Sequence, residues 1–409
     1  MSSTPHTDRG NVSPAGISRR RMLGAAVGAG TAAPLLPARP ARAAAGATRP
    51  ATIRPTSARL VLPRPTGPHP VGTVDLTLVD PTRPGPTPGS PLRLMASLWY
   101  PARPTGHHPL APWMGAGALR AFLASGGFPP SSALGPLTAG HLGAPVHRPG
   151  HSLPVVVHSH GAHDHRSDTT IVVQELASHG YLVVTVDHAN DSFTQFPDGR
   201  VLTPDGARMP GAAGFAEDVR FLLDRIEELA AGRNPDADGR QLPEGLGAAL
   251  DLDRIGMFGW SKGGAATALT MAADRRVKAG LALDGTMDPV ITGDLDRPFM
   301  LLTARCTRTT QRPVAEFWSR LKGWRLDVRA AGAAHASYTD VQYLAPQLAR
   351  LAGLSDAQLR SMTGTLDPGR AVRIQQAYPL AFFDRHLRRR PSRLLDGPSA
   401  AFPEVAYLP

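Results

Sequence analysis

Between Arg254 and Gly264 the chain reads Arg-Ile-Gly-Met-Phe-Gly-Trp-Ser-Lys-Gly-Gly, an apolar run that enters a Gly-x-Ser-x-Gly turn. An Ala-rich stretch with helical character, Ala265 to Ala273, leaves it. Strand, tight turn and helix in that order make a nucleophile elbow, which strains the backbone at Ser261 and lifts its hydroxyl clear of a sheet. The turn tolerates almost no bulk two residues to either side, a demand that Gly259 and Gly263 meet. Gly264 lets the new helix pack close to a neighbouring strand. An elbow of this kind needs a parallel sheet around it, a base and an acid for the serine, and an oxyanion hole.

The sheet is legible upstream and downstream of the elbow. Two strand candidates, Gly72 to Val79 and Leu92 to Trp99, are bounded by Pro or Gly. Leu153 to Val157 is a short continuous apolar run, as expected of a strand buried on both faces. Further strands are predicted at Tyr181–Val186, Ile255–Phe258, Leu281–Leu283, Phe299–Thr303 and Leu326–Val328. Helices are predicted at Thr169–His179, around Val314 to Leu321 and at Ala371–His386. Another carries Phe215, Val219, Leu222, Ile226 and Leu229 at alternating spacings of four and three. Strands alternating with helices imply an α/β fold, a mostly parallel sheet covered on both faces. The count of eight strands is that of the α/β-hydrolase fold. Residues 101–152 show no strand signal and one short helix, Pro112 to Ala124, and read as a cap over the site or a plain surface excursion.

In this fold the acid follows the nucleophile and the histidine comes last. His335 lies just past Leu326–Val328 and is the expected base, since imidazole can accept and return a proton near neutral pH. His386, the only later histidine, falls on the terminal helix beside an Arg run. Asp284 ends the Leu281–Leu283 strand and is the expected acid, whereas Asp288, Asp294 and Asp296 fit solvated loop positions better. The expected oxyanion donors are the backbone N–H groups of Lys262, next to the nucleophile, and Ala162, with Gly161 supplying the turn. That role leaves the Lys262 side chain free, and solvent-facing on this reading.

Two rival chemistries are weaker. His158, His160, His163 and His165 nearly spell a zinc-hydrolase signature. Ala162 stands where that signature needs an aspartate, and no downstream ligand set matches, so no metal and no cofactor are expected. The lone cysteine, Cys306, has no elbow glycines near it and reads as a structural or incidental thiol.

The net charge of +11 invites a nucleic-acid reading, but six Arg against one Asp fall within residues 1–43. The remaining Arg are scattered, except for the run from Arg385 to Arg390, which a solvated helix end explains; no nucleic-acid partner is expected. Ser18-Arg19-Arg20-Arg21-Met22-Leu23 resembles a twin-arginine export motif, followed by a mildly apolar segment and Ala41-Arg42-Ala43. A signal peptide of residues 1–43, cleavage after Ala43 and a secreted product are expected. A poorly ordered lead-in over 44–70 and a single hydrolase domain over 71–409 follow. Oligomeric state is not readable from the sequence.

Several motifs in fixed order carry a resemblance. Ser159-His160-Gly161, Leu176 to Tyr181, Val186-Asp187-His188, the elbow from Gly259 to Gly264, Ala282 to Gly285 and the histidine within Gly332 to Asp340 resemble the plasma-type platelet-activating-factor acetylhydrolase family, most nearly its exported bacterial members. The resemblance runs from about Val71 to Leu387. It implies a calcium-independent serine esterase acting on a small ester or lipid, with short or oxidised acyl chains removed from phospholipids, and brief contact with a lipid surface. It also places the acid after the sixth strand, at Asp284. The family's elbow usually has His before the serine, where this chain has Trp260, a departure that bears on substrate rather than on reaction type and leaves a polyester- or lipid-degrading esterase of the same fold as the alternative.

Overall fold

Alternate side chains of the central strands leave opposite faces of the sheet, and that two-residue period divides the core in two. Val155 and Val157 join one apolar cluster while Val156 joins the other. Each buried aliphatic side chain contributes about 1.5–3 kcal/mol, so the covered sheet is the main source of stability. The computed structural model describes residues 58–103, 105–129, 133–148, 150 and 152–408. The expected signal peptide, and the lead-in as far as residue 57, lie outside them.

In chain order the first part comprises β1 (Val71–Pro84), β2 (Pro91–Pro101), β3 (Leu110–Pro112), α1 (Ala116–Ser125) and β4 (Leu137–Leu142). The α/β core begins with β5 (Leu153–Ser159), α2 (Thr170–Ser178) and β6 (Leu182–Val186). A small ribbon, β7 (Thr194–Gln195) with β8 (Val201–Leu202), precedes α3 (Ala212–Ala230). Then come β9 (Leu250–Trp260), α4 (Lys262–Ala273), β10 (Val277–Leu283), β11 (Phe299–Thr303), α5 (Arg312–Arg320) and β12 (Arg325–Ala330). The chain closes with α6 (Val341–Ala352), α7 (Asp356–Thr363), α8 (Pro368–Leu387) and β13 (Val405–Leu408).

The main sheet has the order β13-β12-β11-β10-β9-β5-β6-β2-β1-β4-β3. From β6 to β12 the neighbours run parallel, while β2 is antiparallel to both β1 and β6, and β13 to β12. Helices α3, α4 and α5 supply the cluster on one face through Val219, Leu222, Met271, Val314 and Phe317. On the other face α2 and α8 supply Val172, Leu176, Ile374, Tyr378, Phe382 and Phe383. This is the α/β-hydrolase architecture, with all eight expected strands in the sheet.

Residues 101–152 depart from expectation. β4 pairs in parallel with β1 and β3 pairs with β4, so the segment extends the sheet by two short edge strands. Interrupting glycines and prolines hid them from a periodicity search. The segment also lines a cavity of about 270 Å³ with Trp99, Arg166, Gln195 and Phe196, and no residue of the expected triad lines that cavity. The lead-in is better held than expected from residue 58 on. Leu60 is buried, and Thr66 donates to Glu175 through both its N–H (2.8 Å) and its hydroxyl (2.5 Å). Helices α6 and α7 were not expected, because Pro346 sits inside the first and the second is short and polar. The Arg run at the end of α8 is not all solvated: Arg388 stacks on Tyr181, 3.7 Å from the ring centre, and donates to the carbonyls of His179 and Gly180.

Candidate active site

The elbow sits where β9 ends and α4 begins. Ser261 has φ 55° and ψ −117°, a left-handed conformation that costs about 1–3 kcal/mol for a residue with a Cβ. One tertiary and one local backbone bond hold it there: the Ser261 N–H donates to Leu283 O at 3.0 Å and the Gly264 N–H to Ser261 O at 3.0 Å. The flanking glycines answer a close approach. A Cβ on Gly263 would collide with the Ser159 carbonyl at the end of β5, and one on Gly259 with the Gly263 backbone.

Three strand ends bring the expected residues together. The Ser261 hydroxyl lies 2.9 Å from His335 Nε2, and His335 Nδ1 lies 2.6 Å from Asp284 Oδ2. Asp284 follows β10, while His335 opens a 3-10 turn after β12. The other oxygen of Asp284 accepts the N–H groups of Ala304 (2.7 Å) and Cys306 (2.8 Å). Burial would raise the Asp284 carboxyl, but hydrogen bonds from His335 and these two N–H groups hold it below the usual carboxylate range. Trp260 braces the imidazole from the side: its Nε1 donates to the His335 carbonyl at 2.8 Å, and the two ring centres are 4.8 Å apart. A Cβ on Gly161 would overlap the indole, so the loop after β5 accommodates the tryptophan only because that residue is glycine.

That loop offers three consecutive backbone N–H groups. Gly161 gives its N–H to Asp168 Oδ2 at 3.2 Å, and His163 gives its N–H to Asp191 Oδ1 at 2.7 Å. The N–H of Ala162 between them, and that of Lys262 at the start of α4, donate to no group among the described residues. The Lys262 side chain is not solvent-facing as expected. Its ammonium pairs with the buried carboxylate of Asp191 and donates to Pro210 O at 3.0 Å. No local sequence pattern marks Asp191, because the pair joins residues 71 apart in the chain.

A second Ser–His–Asp chain lies next to the first. Ser159 Oγ is 2.8 Å from His188 Nε2, whose Nδ1 is 2.9 Å from Asp218 Oδ2. Geometry alone does not separate the two; access does. Ser159 and His188 are 0% exposed, against 9% for Ser261 and 18% for the His335 side chain. Burial also pushes the Asp218 carboxyl up to about 7, in spite of its ion pair with Arg83. The inner chain is a packing device, in line with His188 stacked on Phe215 at 3.6 Å.

The histidines of the 158–165 stretch do not converge on one point. The His158 ring is engaged by Asp168 and Thr169, while His160 donates from Nδ1 to Gly161 O and accepts the His188 N–H at Nε2. Burial, then repulsion from His188, drives His160 well below its usual range, so it is neutral. Among the described residues, the one group of three potential ligand atoms mutually within 4.8 Å is Asp284, Cys306 and His335, which is the candidate site itself. Burial pushes the Cys306 thiol up to about 12, so it is protonated at neutral pH and a poor nucleophile. His386 packs against Trp324 and Phe382, away from the site.

The sequence profile of the family "Platelet-activating factor acetylhydrolase, isoform II" matches residues 55–196 and 223–392. The chain belongs to this family. It is 27% identical over 282 residues to a probable 1-alkyl-2-acetylglycerophosphocholine esterase of Arthroderma benhamiae, covering 64% of this chain and 68% of that one. It is 24% identical over 266 residues to the platelet-activating factor acetylhydrolase of Cavia porcellus, covering 58% of each chain. A solved ferulic acid esterase from Streptomyces cinnamoneus superposes with a TM-score of 0.73 at 33% identity, over 86% of this chain and all of that one. The likeness therefore reaches esterases with two different named substrates.

Proposed function

We propose that this protein is a secreted serine carboxylic-ester hydrolase that works through an acyl-enzyme. The observation that carries the reading is the hydrogen-bonded chain Ser261–His335–Asp284, whose serine and histidine keep some exposure where the inner chain has none. Ser261 Oγ attacks the ester carbonyl as His335 Nε2 takes its proton. Asp284 keeps the proton on Nδ1, so that Nε2 presents a lone pair to the serine, and stabilises the imidazolium that forms. The unused N–H groups of Ala162 and Lys262 receive the developing oxyanion. His335 then protonates the leaving alcohol, and water repeats the cycle on the acyl-enzyme.

Short acyl esters, including acetylated phospholipids, are the substrate class favoured by the family. Esters of ferulic acid are the second reading, favoured by the solved neighbour that is aligned along its whole length. A panel of p-nitrophenyl acetate, an acetylated ether phospholipid and methyl ferulate decides between them by kcat/KM. At least one is expected to be hydrolysed, with inhibition by a fluorophosphonate and indifference to a chelator. Loss of activity to the chelator alone would instead point to the zinc reading. Export is supported by Arg19-Arg20 and the Ala41-Arg42-Ala43 site, and predicts a mature N-terminus at Ala44 in culture fluid.

Trp260→Phe keeps an aromatic ring beside His335 but deletes the bond to its carbonyl. One such bond is worth about 0.5–1.5 kcal/mol, so kcat is expected to fall roughly two- to tenfold. Stopped-flow or steady-state turnover of p-nitrophenyl acetate measures it, and an unchanged kcat would show that the indole only fills space.

A further inference from the structure

Lys262 has two ends with different duties. Its backbone N–H is one of the two unused donors at the site, while its half-buried side chain turns toward the loops around Asp191 and Pro210. There the ammonium meets Asp191 Oδ2, donates to Pro210 O and lies 5.0 Å from the centre of the Phe215 ring. The second oxygen of the same carboxylate accepts the N–H of His163, the residue directly after Ala162. Asp191 is 0% exposed, and its loop is knitted to the 160–168 loop by Phe193 N–H donating to Asp164 O at 2.9 Å. One buried carboxylate thus grips the chain beside both donors.

We propose that Asp191 is a positioning residue that fixes the separation and aim of the Ala162 and Lys262 N–H groups. The proposal rests on the reading of those groups as the oxyanion hole. Donors stabilise an oxyanion only from about 2.7–3.1 Å, so both loops must be held to within a fraction of an ångström. His163 has φ 58°, a conformation that an unrestrained histidine rarely keeps. A charge-assisted bond to its N–H is a means of keeping it. Stability alone does not explain the arrangement, because a buried ion pair recovers little more than its desolvation cost. Nor does the chemistry of position 262 require a cation, since only its N–H faces the reaction.

The test compares Asp191→Asn, Lys262→Met, the double variant and Lys262→Arg. Their readouts are p-nitrophenyl acetate kinetics, the affinity of an alkyl boronic acid that mimics the tetrahedral state, and fluorophosphonate labelling of Ser261. Misplacing a donor should cost less than deleting one, so kcat is expected to fall about ten- to hundredfold with KM within about twofold. Boronate affinity should weaken by the same factor, and labelling should be slower but still complete. The double variant should be no worse than the weaker single one, and Lys262→Arg should recover most of the loss. If Asp191→Asn loses its native melting transition, Lys262→Met carries the same readouts. Wild-type kcat and boronate affinity in a folded Asp191→Asn or Lys262→Met would overturn the proposal, as would losses that simply add in the double variant. Failure of the wild-type protein to label at Ser261 would overturn the esterase reading itself.

Discussion

Ser261→Ala is expected to lower turnover of p-nitrophenyl acetate by at least about 10⁴-fold while leaving the melting temperature nearly unchanged. The loss is large because nothing nearby can substitute. Among the described residues the only other serine held by a histidine and an aspartate, Ser159, is fully buried, and the Cys306 thiol is protonated and buried. The fold should tolerate the change because the left-handed turn is held by backbone bonds and by close packing around Gly259 and Gly263, none of which involves the hydroxyl. Initial rates on purified protein, with a melting curve beside them, measure both halves. Residual activity close to that of the wild type would remove Ser261 from the mechanism.

Asp284→Asn should cost about 10⁴-fold in kcat through a change of tautomer. Oδ1 of Asp284 accepts two backbone N–H groups, so an asparagine must place its carbonyl oxygen there. Its amide NH₂ would then point at His335 Nδ1, leaving that nitrogen without a proton and putting the proton on Nε2, which could no longer accept from Ser261. The wild-type acid also links stability to pH. Its folded pKa is depressed, so its contribution is fully present above the ordinary value of 3.8 and is lost as pH falls through the folded value. Asp284→Asn should therefore flatten the acid limb of a stability–pH curve measured by urea denaturation. A variant that retained activity within tenfold of wild type would show that another group orients His335.

The meeting of Ser261, Asp284 and His335 was legible in sequence because each follows a continuous apolar strand, and strand ends on one edge of a parallel sheet must meet. Gly259-Trp260-Ser261-Lys262-Gly263 carried the fold class almost by itself. The choice of Ala162 was legible as a position in a loop, but only the structure shows that Asp168 and Asp191 occupy the N–H groups on either side. Periodicity failed where elements are short or interrupted, as at β3, β4 and Pro346 in α6. It also carried no trace of tertiary ion pairs. Lys262 looked like a surface residue because nothing local announces Asp191, and the Ser159–His188–Asp218 chain was hidden for the same reason. The histidine-rich stretch from His158 to His165 suggested metal, yet its first two rings are consumed one by one in bonds that shape the loop after β5.

The central claim is that Ser261 forms the covalent intermediate. Intact-mass analysis after brief incubation with a fluorophosphonate, followed by proteolysis and peptide mapping, measures this directly. One adduct per chain, located on the peptide that contains Gly259 to Gly264 and lost in Ser261→Ala, is the predicted result. An adduct on any other residue, or undiminished ester hydrolysis by protein that carries no adduct, would contradict it.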